Sequence, residues 1–395
     1  MTLLDDAKII TTANAGKAGT LYSIKPDSGL ADLDVTRSTT ATRVDSAGVI
    51  ESVAINEPQL DYTDGSCPSF LLEPQRTNLI TYSTGLPSGG WSGGGIIWNA
   101  NTVVAPDGTT TGNLVEESNG SGYGYLNMTV ASSTSYTFSF YAKRGTATQM
   151  KFYAIDTASA AFLIPQTDFY PLTNSSTWTR VTATFTTGAS TTGARIYFRY
   201  ITTGGTFALW GLQLEEIPAY IAGVDTSPTS YIPTSGATVT RNRTTFYNNG
   251  LSSLMSDTEG TFFLEVDFQY DGDYAFFSMG ANSSNTVGIG ITNSSTLWLR
   301  ARMGGDGINT FWGSPGYPSG YFKIAGKYKS GDFAFWLNGT EIQTDTSAAT
   351  STTTWEEMSS SYASTNTVYN PRAKVRQIQV YNTALTDAQL LALTT

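Results

Sequence analysis

Short runs in which apolar and polar residues alternate with period two, divided by Gly/Ser/Thr-rich turns, fill this chain and leave it little to form but β-sheet. One series is Ser135–Ala142, Lys151–Ile155, Trp178–Phe185, Arg195–Tyr200 and Phe207–Leu214. A second is Gly260–Phe268, Asn285–Ile291, Thr296–Ala301, Phe322–Tyr328, Phe333–Ile342 and Lys374–Tyr381. Phe333–Ile342 contains Asn338-Gly339, the dipeptide that favours a two-residue hairpin turn. Charged residues make up 14% of the chain and aromatic residues 12%, a balance that favours packed β modules over helices or disorder. A short helix is expected over Thr386–Leu391, with Thr386 as its N-cap. The expected fold class is all-β: two β-sandwich (jelly-roll) domains in tandem after an extended N-terminal anchoring segment.

At 395 residues the chain can hold several cores. Residues 1–68 are polar with short apolar islands, read as an attachment or oligomerisation segment that packs on partners. Ser69–Asn78, S-F-L-L-E-P-Q-R-T-N, reads as a strand stopped at Pro74, which has no N–H to donate. Residues 69–225 form the first expected sandwich and 246–395 the second. Residues 226–245 between them contain Pro228 and Pro233 and read as a stiff linker.

Several function classes are excluded or disfavoured. The net charge is −10, opposite to what a nucleic-acid or anionic-lipid surface requires. There is no histidine, so Ser-His-Asp triads, Cys-His dyads and the usual zinc sites are absent. Cys67 is the one cysteine; no intrachain disulfide exists, and packing in an apolar run is its expected role. No stretch has the length of an apolar membrane span, and the acidic opening Met1–Asp6 does not read as a signal peptide.

Three motif sets carry resemblances. L-L-E-P-Q-R-T-N-L-I-T-Y-S and, later, T-S-Y-I-P-T-S-G-A-T-V-T-R resemble segments that bracket a β-sandwich in tailed-phage structural proteins. Y-T-F-S-F-Y-A-K, W-T-R-V-T-A-T-F and L-W-G-L-Q-L-E-E, in that order, resemble carbohydrate-binding-module jelly rolls. F-A-F-W-L-N-G-T-E-I followed by K-V-R-Q-I-Q-V-Y-N-T-A-L-T-D-A-Q-L resembles a laminin-G or concanavalin-like lectin domain. These resemblances imply a virion protein of the fibre or spike type, made in the host cytoplasm and adhering to host-surface polysaccharide. Contacts to other virion proteins through the N-terminal segment and a homotrimeric state are implied with it. A non-adhesive head or tail decoration protein is the alternative, and a polysaccharide depolymerase a second one.

Aromatic rings serve sugar binding because pyranose C–H faces pack on them as other apolar groups do. In the second sandwich the candidates are Trp312, Tyr317, Tyr321 and Trp298; in the first, Trp91, Trp98, Tyr123 and Tyr125. Trp178, Trp210 and Trp336 read as structural. Asp271, Asp273 and Asp306 lie in acidic, glycine-containing loops whose hard oxygen ligands suit Ca²⁺. Glu265 and Asp267 would share a strand face, as in concanavalin-like glycosidases with E-x-D-x-x-E, but Tyr270 occupies the position of the third acid. No catalytic residue is therefore expected.

Overall fold

The structure is a computed structural model that describes residues 3–86, 89–199, 202–218, 226–269, 275–282, 285–291, 297–303, 306–312, 318–346, 353–360 and 372–395. Antiparallel β-strands account for nearly all of its regular structure. The chain divides into two compact units. One comprises Met1–Ser46, Ser52–Gln75 and Asn242–Thr395; the other comprises Ala47–Glu51 and Arg76–Arg241.

This division differs from the one expected along the sequence. Residues 1–68 are not a free-standing segment, because Ile9–Lys17, Thr20–Lys25, Leu33–Thr36 and Leu60–Asp61 join the sheet built by the C-terminal residues. The strand Arg372–Tyr381 is flanked on one side by Glu259–Gln269. On its other side it pairs with Ile9–Lys17 (Ile9↔Val380 to Thr12↔Gln377) and then with Ser69–Leu72 (Val375↔Phe70 to Ala373↔Leu72). The apolar islands that could not build a core alone, Ile9, Leu21 and Leu33, are buried here beside Phe70 and Leu72. Among the described residues, sixteen strands of this unit form one hydrogen-bonded sheet. The sheet curls over itself, since the Phe262 ring lies 5.0 Å from Phe277, whose strand is seven neighbours away along it. The helix Asp387–Thr394 starts at Thr386 with a complete capping box and buries Leu390 against Trp336 and Tyr381. The Asn338-Gly339 hairpin forms as expected, both residues taking positive φ (46° and 75°).

In the other unit, two five-stranded antiparallel sheets enclose one core. The first sheet contains the strand Ser135–Arg144. The second runs in the order Phe162–Asp168, Lys151–Asp156, Gly193–Arg199, Tyr123–Thr129, Ser92–Gly94. Phe140 of the first sheet meets Phe152 (5.2 Å), Phe169 (5.3 Å) and Phe198 (5.1 Å) edge-on. Each such pair adds about 0.5–1.5 kcal/mol beyond the area it buries. Trp210 is 1% exposed and donates Nε1–H to Thr111.

The two motifs flanking this unit form a single clasp. Arg76–Asn78 and Val239–Arg241 pair antiparallel. Asn78, fully buried, donates Nδ2–H to the carbonyls of Leu212 (3.0 Å) and Ile232 (2.9 Å). Its Oδ1 accepts from the N–H groups of Ile80 and Leu214, both at 3.1 Å. Ser83 and Tyr231 hydroxyls lie 2.6 Å apart, and Thr234 donates to the Ile80 carbonyl at 2.6 Å. Residues 229–241 are thus bound, not a linker: Thr229, Ile232 and Arg241 are each 1–2% exposed.

Candidate functional site

The outward face of the second sheet in the 76–241 unit gathers aromatic rings and cations. In Gly193–Arg199, burial alternates strictly, with Ala194, Ile196 and Phe198 inward and Arg195, Tyr197 and Arg199 outward. Register aligns these with Lys151–Asp156 on one side and Tyr123–Thr129 on the other, giving three cross-strand rows. They are Lys151–Arg199–Tyr123, Tyr153–Tyr197–Tyr125 and Ile155–Arg195–Asn127. Neighbours within a row are about 4.8 Å apart at the backbone, which sets their side chains next to one another on the surface.

The middle row is a seam of rings. Tyr153 stacks on Tyr197 (4.6 Å, 12°), Tyr197 meets Tyr125 (5.3 Å), and Tyr125 lies parallel to Tyr123 (6.2 Å, 8°). Phe162 extends it beyond Tyr153 at 5.6 Å. Tyr153 is almost covered, whereas Tyr123 is 36% and Phe162 57% exposed, so the seam opens at both ends. The flanking strand presents only Ser92 opposite Tyr125 and Gly94 opposite Tyr123, which leaves those rings uncovered at that edge. Two glycines make the arrangement possible. A Cβ on Gly124 would lie 2.4 Å from the Trp98 indole beneath the sheet, and one on Gly93 (φ 137°) would lie 2.1 Å from the Tyr123 carbonyl oxygen.

Arg195 is locked in place. Its guanidinium lies 4.5 Å from the Tyr125 ring centroid, its Nε–H donates to Asn127 Oδ1 (2.7 Å), and Nη1 donates to the Tyr197 hydroxyl (3.3 Å). The Tyr197 hydrogen bond raises its pKa further, so it stays charged. Arg199 sits 5.5 Å over Tyr123. Glu117 organises the loop that delivers Tyr123, accepting from the N–H groups of Asn119 (3.0 Å), Gly120 (2.7 Å) and Gly122 (2.8 Å). Burial pushes the Glu117 carboxyl upward, but these N–H groups outweigh it and hold its pKa below the usual carboxylate range.

Of the first-sandwich candidates, Tyr123 and Tyr125 belong to this face. Trp91 and Trp98 do not: they pack 5.0 Å from each other against the core, Trp91 lying 5.6 Å from Phe198. Tyr153, Tyr197, Phe162, Arg195, Arg199 and Lys151 were missed in the sequence. Their strands were legible, and R-I-Y-F-R held the signal in its three outward residues, but cross-strand register alone brings them together.

Of the second-sandwich candidates, only the side chain of Tyr321 is described. Asp271, Asp273 and Tyr317 lie outside the described residues; Trp298, Asp306 and Trp312 fall in strands of which only the backbone is described. The Ca²⁺ expectation thus falls on positions whose side chains are not described. Among the described residues no group of three or more His, Cys, Asp or Glu gathers as for a metal.

Tyr321 is not an open platform. The Arg376 guanidinium covers its ring at 3.5 Å, and its hydroxyl donates to Asp64 Oδ2 (2.9 Å) and contacts the Ser69 hydroxyl. Asp64 also binds Lys374 (2.6 Å). Burial raises the Asp64 pKa, but Lys374 and the Tyr321 hydroxyl outweigh it and hold the carboxyl low.

Arg376 is the extra residue of a β-bulge between Arg372–Tyr381 and Glu259–Gln269, and its Nη1 lies 3.4 Å from Glu265. A cleft of about 460 Å³ opens there, lined by Thr12, Asn14, Asp64, Cys67, Glu265 and Arg376 among others. Glu265 is therefore tied to a cation. Cys67 is exposed, two residues past the turn that the Gly65 N–H closes on the Tyr62 carbonyl; burial resumes only at Pro68.

No protein-family model and no curated protein matches the chain. Among solved structures, the CBM40 of the Ruminococcus gnavus IT-sialidase aligns with TM-score 0.32 and 20% identity, over 37% of this chain and 91% of that one. The receptor binding domain of botulinum neurotoxin mosaic serotype C/D gives 0.31 and 9%, over 38% and 39%. A K499G mutant of NanB sialidase from Streptococcus pneumoniae gives 0.29 and 15%, over 38% and 26%. The chain thus spans well under half of the last two proteins. Likeness at this level assigns neither a family nor a ligand. Among the described residues no helix is long and apolar enough to cross a membrane.

Proposed function

We propose that this protein binds glycans, without cleaving them, on the outward face of the sheet formed by Lys151–Asp156, Gly193–Arg199 and Tyr123–Thr129. The observation that carries this reading is the row Tyr153–Tyr197–Tyr125, continued by Tyr123 and Phe162 and bordered by Arg195, Arg199, Lys151 and Asn127. Rings supply surface for sugar C–H faces, and the bordering side chains supply hydrogen-bond donors at fixed positions. Preorganisation lowers the entropic cost of binding, because the rings brace one another and Arg195 is already held.

The phage-type motifs support a finer proposal: a tailed-phage fibre or spike protein, located in the virion, made of two tandem sandwiches and adhering to host-surface polysaccharide. Titrating the intact protein against an array of bacterial surface glycans, alongside Tyr123→Ala and Tyr125→Ala, tests the site. Saturable binding that each variant weakens at least tenfold, about 1.4 kcal/mol, supports it. Binding unchanged in both variants, with melting temperatures retained, refutes it.

A further inference from the structure

We infer that the glycan held on this face is anionic, its repeat carrying a carboxylate or an equivalent fixed negative charge recognised by Arg195. The inference rests on the reading that the face binds a saccharide.

The chain has 32 acidic and 22 basic residues, so a surface taken at random would hold more carboxylates than cations. The three rows of this face reverse that balance, with Lys151, Arg195 and Arg199 and no carboxylate. Asp168, the register partner of Lys151, accepts from the backbone N–H groups of Tyr170 (3.0 Å) and Met150 (3.4 Å).

Arg195 is the sharper observation. A guanidinium has five N–H donors in a rigid fork. Here Nε is held by the neutral Asn127 amide, Nη1 shares one hydrogen with the neutral Tyr197 hydroxyl, and the plane rests over Tyr125. Among the described residues no carboxylate reaches it. The Nη1/Nη2 edge therefore remains for a bidentate anion, at a position where its orientation is already fixed. A neutral sugar would use that edge less well, since its hydroxyls lack the planar pair of charged oxygens that matches the guanidinium fork. The aromatic row beside it would carry the ring of the same sugar or its neighbour.

The test uses the intact protein and the array members that bind it, each paired with its carboxyl-reduced or desulfated form. Wild type, Arg195→Gln and Arg199→Gln are titrated at low and high salt, with unfolding midpoints recorded for each variant. The expected result is binding by anionic members that falls at least tenfold when the charge is removed. It should weaken with salt, and fall tenfold in Arg195→Gln at an unchanged midpoint. If neutral and anionic forms bind equally, the inference is overturned while the glycan-binding reading stands. If Arg195→Gln binds anionic members as wild type does, it is likewise overturned. If no member binds, both fall. Should Arg195→Gln lose stability, Arg199→Gln and the charge-removed glycans still decide the matter.

Discussion

Replacing Asn78 by alanine should cost the clasp about 3–4 kcal/mol. The amide saturates its hydrogen-bonding capacity with two donations and two acceptances, all to backbone and all buried. Its removal strands the carbonyls of Leu212 and Ile232 and the N–H groups of Ile80 and Leu214. Each buried group left unsatisfied costs about 1–3 kcal/mol, less where a water fills the space the amide vacates. For a unit of roughly 170 residues a loss of this size lowers the melting temperature by about 6–15 °C. Calorimetry of the intact chain reads the shift, and hydrogen exchange at Ile80 and Leu214 localises it. Asn78→Asp sharpens the test, because the shape is kept while the donor becomes an acceptor facing two carbonyls. That carboxyl would be driven above its unfolded pKa. The stabilisation its neutral form gives is then complete below the unfolded value, near 3.9, and is lost as pH rises through the folded one. The deficit relative to wild type should accordingly be larger at pH 7 than at pH 4. An alanine variant melting within 1 °C of wild type, or an aspartate deficit that does not change with pH, would refute the role of this amide.

Glu117 has a depressed folded pKa, so its contribution is present above the unfolded value near 4.5 and disappears as pH falls through the folded one. Acid titration followed by exchange at Gly120 and Gly122 should show this loop opening, and Glu117→Gln should remove the pH dependence. Gly93→Ala should disrupt the pairing of Ser92–Gly94 with Tyr123–Tyr125 and weaken glycan binding several-fold, read by the same titration. Cys67 should react with one equivalent of a thiol reagent in the native protein, as rapidly as after denaturation; a buried thiol would react only after unfolding. Asp64→Asn should cost no more than about 1 kcal/mol by chemical denaturation, because the Lys374 pair is partly solvated.

The strands were legible wherever alternation was strong, as in Ser135–Ala142 and Arg195–Phe198, and so were the Asn338-Gly339 hairpin and the Thr386 cap. These features rest on local rules. What could not be read was long-range pairing. Nothing in I-I-T-T near residue 10 announces that it will lie against Gln377–Val380, since any strand with an apolar face could fill that place. The resemblance that picked out Ser69–Asn78 found real structure, though not the kind expected: the stretch is where the chain passes from one unit to the other, and Asn78 is its anchor. The site was half legible for the same reason. Tyr123 and Tyr125 stood out as candidate aromatic platforms, but Tyr153, Tyr197 and Arg195 counted only as members of strands until register placed them in rows.

The most direct test of the glycan-binding reading is a crystal structure of the intact protein with an oligosaccharide that the array identifies. The account predicts sugar rings packed along Tyr123, Tyr125 and Tyr197 with a hydrogen bond from Arg195. An oligosaccharide seated instead in the cleft beside Glu265 and Arg376, with the tyrosine face empty, would contradict it.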